Sequence, residues 1–213
     1  MNLHLKPHGQ PGTLLAVCGM DGSGKSTLEA ALLTRIGAGR QCTPAWAPTQ
    51  WWRRDENVRR SLFGEGEGSQ LPEEALLHFN LADCLAHQAD VILPALARGE
   101  VVIANRYLFD MLALFEARGA GRPAWLSDAV TSIVRPDFCF VLDGAPELIV
   151  ERVQRRVGTK PGRFDQDVAF VSRYNSALRR MAHANDLTLL QVATDPDLIV
   201  QQCLDVLVRA GWS

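Results

Sequence analysis

The stretch Gly19-Met20-Asp21-Gly22-Ser23-Gly24-Lys25-Ser26-Thr27 fits Gly-x-x-x-x-Gly-Lys-Ser, the spacing of a phosphate-cradling loop. Such a loop needs a strand before it and a helix after it, and both are legible here. Thr13-Leu14-Leu15-Ala16-Val17-Cys18 is a short apolar run that reads as a buried strand. From Ser26 to Ile36, Leu28, Ala31, Leu32 and Arg35 recur at helical spacing. A glycine-rich turn between the two aims several backbone N–H groups, and the positive end of the helix dipole, at one spot. Gly19, Gly22, Ser23, Gly24, Lys25, Ser26 and Thr27 are therefore the expected nucleotide-binding residues. Lys25 is expected to face solvent and reach the β- and γ-phosphates of a nucleotide, with the Ser26 hydroxyl on Mg²⁺.

Strands continue to alternate with helices along the chain. A second strand is expected over Thr43 to Pro48, a third over Val101-Val102-Ile103-Ala104, a fourth over Phe138 to Leu142 ending at Asp143, and a fifth over Leu187 to Val192. A polar helix is expected to run to about Leu62, and a long one from Pro72 toward Leu96, kinked or ended by Pro94. Further helices are expected over about Phe109–Ala117, Ala124–Val134, Pro146–Val157 and Val168–Ala184, with a last one capped by Asp195. This alternation implies an α/β fold, a parallel sheet covered on both faces. Ligands of such sheets sit beyond the carboxyl ends of the strands, which gathers Asp21, Asn105, Arg106 and Asp143 near the loop.

A chain of 213 residues, 47% hydrophobic and with formal net charge −2, suits one domain over 13–213 and argues against a dedicated nucleic-acid binder. Residues 1–12, rich in Pro and Gly, read as a loose tail, and Gly64 to Ser69 as a mobile surface loop. No apolar run reaches membrane-spanning length, and the N-terminus lacks a secretory pattern, so no membrane partner is expected. The five scattered cysteines have no ligand or disulfide spacing and read as buried thiols, which points to the cytoplasm.

Phosphoryl transfer needs positive charge around the moving group and an in-line acceptor more than it needs covalent help. Arg152, Arg155 and Arg156 fall near one side of a helix, and Arg163 follows in a Gly/Pro-rich segment, about 157–166, that could close over nucleotide as a lid. The alternative is a solvated basic face. Arg106, at the end of a buried strand, must meet an anion, either a structural carboxylate or a substrate phosphate. Asp21 and Asp143 are candidates for holding Mg²⁺ or its waters, or else are a loop hydrogen-bonder and a cap. Trp51, Trp52 and Phe79 could stack a base, although single aromatics are more often core. His78, His87 and His183 have no metal-ligand spacing.

From Leu14 to about Leu207 the chain resembles the thymidylate kinases of the phosphate-loop nucleotide kinases. The resemblance rests on the loop with Asp21, Val91-Ile92-Leu93-Pro94-Ala95-Leu96, Val102-Ile103-Ala104-Asn105-Arg106-Tyr107, Pro136-Asp137, Leu142-Asp143, Pro146-Glu147 to Arg152, Arg163-Phe164-Asp165 and Tyr174. It implies a three-layer fold around a five-stranded parallel sheet in order 2-3-1-4-5. It also implies transfer of the γ-phosphate of ATP, with Mg²⁺, to a nucleoside monophosphate. Met20, Gly22 and Ser23 leave the loop without an arginine, which looks like the family branch whose catalytic arginine comes from the lid. On this basis Lys25, Arg106, Arg163 and Asp21 are the expected catalytic residues, Arg152 and Arg156 join the nucleotide site, and Ser26 and Asp143 are the expected metal residues.

The chain also departs from the family. Asn105 stands where the family usually has aspartate before the arginine. Ala47-Pro48-Thr49-Gln50-Trp51-Trp52 replaces an Arg-Glu-Pro-Gly-Gly turn, and Cys84 falls where the family places an arginine near its acceptor. The donor half looks intact and the acceptor half rebuilt. The leading expectation is an ATP- and Mg²⁺-dependent phosphotransferase for a nucleotide or nucleotide-like small-molecule acceptor, with a second copy of the chain as a further candidate partner. One alternative is a kinase for a hydroxyl of a nucleoside or specialised metabolite, with Asp21 or Asp110 as its base. The other is a nucleotide-binding regulator without turnover.

Overall fold

In β1 (Thr13–Gly19), six consecutive residues from Leu14 to Gly19 are buried, as a strand covered on both faces requires. Its side chains alternate between two cores. Leu14, Ala16 and Cys18 point into one, and Leu15 and Val17 into the other. The computed structural model, which describes residues 2–46, 55–63, 71–156, 164–192 and 195–212, shows that this alternation divides the whole molecule. β3 (Val101–Asn105) and β4 (Phe138–Asp143) flank β1 in parallel, β2 (Cys42–Trp46) lies outside β3, and β5 (Thr188–Gln191) lies outside β4. The sheet order is β2-β3-β1-β4-β5, the order that the resemblance implies. Pro44 sits within β2, where an edge strand tolerates its missing N–H.

Helix α1 (Lys25–Gly37) packs on one face through Leu28, Leu32 and Ile36, together with Ile199, Val200, Cys203 and Leu207 of the C-terminal helix Pro196–Arg209. That helix begins as its sequence directs, with the Asp195 side chain accepting from the Asp197 N–H at 2.9 Å. The opposite face is covered by the helices Glu73–His87, Leu108–Ala117 and Val168–Ala184. Each fully buried Leu or Val on these faces contributes about 1.5–3 kcal/mol.

The remaining elements are short. A helix spans Glu56–Phe63. The helix Glu73–His87 does not stop at Pro94 but passes through a π-helical turn, Gln88–Ile92, into Leu93–Ala97. The wider turn lies just before Pro94, whose ring and missing N–H cannot continue a regular ladder. The helix expected over Ala124–Val134 is only one α-turn, Leu126–Ala129, followed by a 3₁₀ turn, Val130–Ser132.

The first dozen residues are not loose along their described length. Leu3 is buried and its N–H donates to Asn185 Oδ1 at 2.7 Å, Lys6 forms a parallel bridge with Val134, and His8 meets Asp137 at 2.9 Å. These anchors outweigh the local Pro and Gly content. The expected loop over Gly64–Ser69 lies outside the described residues. Cys18, Cys139 and Cys203 are buried, and all five cysteines are free thiols. Among the described residues, no helix is long and apolar enough to cross a membrane.

Candidate active site

The loop between β1 and α1 owes its path to two glycines with left-handed backbone. Gly22 has φ 92°, and a Cβ there would lie 2.6 Å from the Ile149 carbonyl oxygen and 2.9 Å from Val153 Cγ2. The loop therefore rests directly on the helix Pro146–Gln154. Gly24 has φ 101°, and a Cβ there would meet no protein atom within 4 Å. The space above Gly24 is open on the side where a helix N-terminus attracts phosphate. Beside it runs a groove of about 300 Å³ lined by Gly22, Ser23, Thr27, Arg152, Arg156 and Ile199, among others. Both expected donor-side arginines are thus at the loop, whereas Arg155 pairs with Glu151 on its own helix.

Lys25 is buried rather than facing solvent. Its Nζ donates to the Met20 carbonyl at 2.9 Å and to Asp21 Oδ1 at 3.2 Å. The same Asp21 oxygen accepts from Arg106 Nη2, so one carboxylate ties the loop lysine to the arginine after β3. Burial alone would raise the Asp21 pKa, but Arg106, then Lys25 and Arg156, outweigh it and hold the carboxyl well below the usual range. Arg106 itself has φ 73°, a strained backbone for a residue with a side chain, held where its N–H donates to the Val17 carbonyl at 2.9 Å. The anionic partner expected for Arg106 is therefore a carboxylate of the phosphate loop.

Asp110 was legible only as a reserve base, and its position is more committed than that. Its carboxylate accepts from the N–H of Gly19 at 2.8 Å, from the N–H of Tyr107 at 3.0 Å and from the Tyr174 hydroxyl at 2.8 Å. It joins the end of β1, the start of the helix Leu108–Ala117 and the helix Val168–Ala184. The local signal was an acidic residue at the third position of a helix, a capping site. Asp110→Ala would leave three donors without this acceptor, a loss of about 3 kcal/mol or more, with a melting temperature roughly 6–12 °C lower. A thermal melt within about 2 °C of the parent would show that Asp110 does not organise the loop.

Ser26 is exposed at the start of α1. Asn105 Nδ2 lies 3.4 Å from Ser26 Oγ and donates to Glu29 Oε2 at 2.6 Å. Glu29, which sequence reasoning did not single out, is buried, and its other oxygen has no hydrogen-bond partner among the described residues. Its pKa is raised by burial, against the hydrogen bonds of Asn105 and Trp46. Asp143 lies on the other side of β1, where its carboxylate is 3.5 Å from Arg179 and 3.4 Å from Gln191. These partners belong to the helix Val168–Ala184 and to β5, rather than to the loop. No group of three or more His, Cys, Asp or Glu side chains is preassembled for a metal among the described residues.

On the β2 and β3 side, a small crevice is lined by Ala45, Cys84, His87, Arg106 and Tyr107, among others. Burial, then Asp83 and Asp110, push the Cys84 thiol up to about 12, so it is a neutral, apolar lining group. His87 Nε2 accepts from the Trp46 N–H at 3.1 Å, and His78 stacks on Trp125. Phe79 is exposed rather than core. Phe164, inside the segment expected as a lid, stacks on Phe170 at 4.4 Å with the Arg118 guanidinium over its ring. Trp51, Trp52 and Arg163 lie outside the described residues.

A family model described as thymidylate kinase matches residues 17–203. A thymidylate kinase from Xanthomonas campestris pv. campestris (strain B100) is 33% identical over 214 aligned positions, which span 99% of this chain and 88% of that protein. One from Coprothermobacter proteolyticus is 28% identical, over 90% of this chain and 96% of the relative. Among solved structures, the thymidylate kinase of Candida albicans superposes with a TM-score of 0.73 at 18% identity, covering 94% of this chain and 92% of that one. At that identity the superposition speaks for the fold.

Proposed function

The chain belongs to the thymidylate kinase family and is a phosphotransferase of the nucleotide-kinase class; from that premise we propose that it moves the γ-phosphate of ATP, with Mg²⁺, onto the phosphate of a nucleotide-like acceptor. The observation that carries this reading is the string Lys25–Asp21–Arg106. One cation belongs to the phosphate loop and the other lines the crevice beside β3, and a single carboxylate joins them, which supports reading them as the donor and acceptor ends. Charge at both ends of the transfer path is what a phosphate acceptor requires.

In this reading the loop from Gly19 to Thr27 holds the donor phosphates, with Lys25 on the β- and γ-phosphates and Arg152 and Arg156 along the groove beside them. Arg106 and Asp21 orient the acceptor end. Arg163, outside the described residues, would add positive charge from the lid. Mg²⁺ would sit at Ser26, where it screens the donor phosphates. The orphaned Glu29 oxygen close to Ser26 makes the donor set chemically suited to a hard cation. Asp143 would act through Arg179 and Gln191, steadying the β4 end, since those are the groups it meets.

A hydroxyl acceptor needs a free carboxylate base. Asp21 already meets two cations and Asp110 three donors, which supports a phosphate acceptor, one that needs no base. Screening ATP consumption against nucleoside monophosphates, nucleosides and small alcohols tests the proposal. Monophosphates are expected to be the productive class. Faster turnover of a nucleoside or alcohol would favour the hydroxyl kinase, and no turnover of any class, with ATP bound, would favour a regulator.

A further inference from the structure

A buried carboxylate with one oxygen satisfied and the other bare is an expensive arrangement, and Glu29 is such a group. Its residue is 3% exposed, Oε2 accepts from Asn105, and among the described residues Oε1 has no hydrogen-bond partner. Its place on α1 says what it is near. Glu29 lies one helical turn beyond Ser26, and side chains on a helix lean toward its N-terminus, so the carboxylate is carried back toward the serine. Asn105 Nδ2 stands between the two, 2.6 Å from Glu29 Oε2 and 3.4 Å from Ser26 Oγ. Asn105 thus fixes the orientation of Glu29 and leaves the second oxygen for another partner.

Among the described residues, no lysine or arginine forms an ion pair with Glu29. The hydrogen bond that it does accept comes from Asn105, a neutral amide. A structural carboxylate would be expected to meet an arginine or lysine, as Asp21 does. We propose that Glu29 is the protein carboxylate of the metal site at Ser26, with Asn105 as its positioning residue. The inference rests on the ATP- and Mg²⁺-dependent reading above. It assigns Mg²⁺ to the junction of α1 and the carboxyl end of β3, a place where Asn105 could not supply the negative charge itself.

The test compares binding rather than turnover. Affinity for the non-hydrolysable ATP analogue AMP-PNP is measured by calorimetry with and without Mg²⁺, in the parent, in Glu29→Gln and in Glu29→Gln/Asn105→Asp. The double variant exchanges carboxylate and amide within the same hydrogen-bonded pair. Bound Mn²⁺ is counted in each by electron paramagnetic resonance. Glu29→Gln is expected to weaken the metal-dependent tightening by about tenfold or more, within the range seen when groups supporting a metal are removed. Metal-free AMP-PNP affinity and the metal-free melting temperature should stay near the parent's, and the double variant should recover the tightening. Full metal-dependent tightening in Glu29→Gln would overturn the proposal. So would a metal-free melting temperature that collapses in the single variant, or a folded double variant as defective as the single one. If the parent binds AMP-PNP with no response to Mg²⁺, the functional reading falls, and this inference with it.

Discussion

Lys25→Met is expected to lower kcat/KM for phosphoryl transfer from ATP by about 10²–10³-fold, the usual effect of removing one preorganised charge donor from a transition state. The methionine keeps most of the aliphatic stem, so the buried site stays filled. Stability should not suffer. Burial, then the nearby Arg106, pull the Lys25 pKa below its ordinary value, against the opposing pull of Asp21 and Asp110. The folded state therefore disfavours the charged amine. That cost is fully present below the folded pKa and fades as pH rises from the folded toward the unfolded value. Removing the ammonium should leave the melting temperature at or above the parent's, while Asp21 keeps Arg106 as a partner. Kinase assays and thermal melts on the same preparation check both halves. Activity within about threefold of the parent would show that Lys25 is not a phosphate ligand.

Thymidylate is expected to be converted with a kcat/KM at least roughly a hundredfold below that of the best acceptor in the panel. Two of the polar contacts that the resemblance implies for thymidylate are replaced: the arginine position by Cys84, and the turn after β2 by Ala47 to Trp52. The first replacement lies in a crevice whose described lining is apolar apart from Arg106 and His87. Cys84 stays neutral there, with its thiol pushed up to about 12, and cannot stand in for a guanidinium. Each charge-assisted hydrogen bond contributes about 1.5–3 kcal/mol, so losing two accounts for a hundredfold or more. The alternative acceptor should then present a less polar or aromatic face to this side. Steady-state kinetics across the panel decide it. Thymidylate as the best acceptor would mean that other arginines have taken over the missing contacts, with Arg53 and Arg54 the first to test.

The sheet was legible because its strands are continuous apolar runs punctuated by Gly, Pro and Asp. The loop was legible because its chemistry is local. Lys25, Ser26 and the two left-handed glycines act within a few residues of one another. What stayed hidden depends on contacts across the fold. The bond from Asp110 to Gly19 joins residues 91 apart in sequence, and that from Asn105 to Glu29 joins residues 76 apart. In sequence, Glu29 is one more polar residue in a helix. Only the packing of α1 on β3 turns it into a buried charge. The anchored N-terminus has the same origin, since Leu3 and Lys6 are held by Asn185 and Val134 from distant elements. Pro94 warned of an irregular helix, but the local signal could not choose between a stop and the π-turn that carries the chain past it.

The close seat of Gly22 on the Ile149 carbonyl leaves no room for loop and helix to slide past one another. The segment bearing Arg152 and Arg156 is consequently fastened to the phosphate loop as one piece. On the function proposed above, an arriving triphosphate would meet its backbone amides and those guanidinium groups already side by side. It does not have to recruit them from separate bodies, so little conformational entropy is lost on capture. Affinity on the donor side would then be set by electrostatics already in place, and a side chain at position 22 would have to push the loop off that helix, at a cost to the folded state as well as to nucleotide capture.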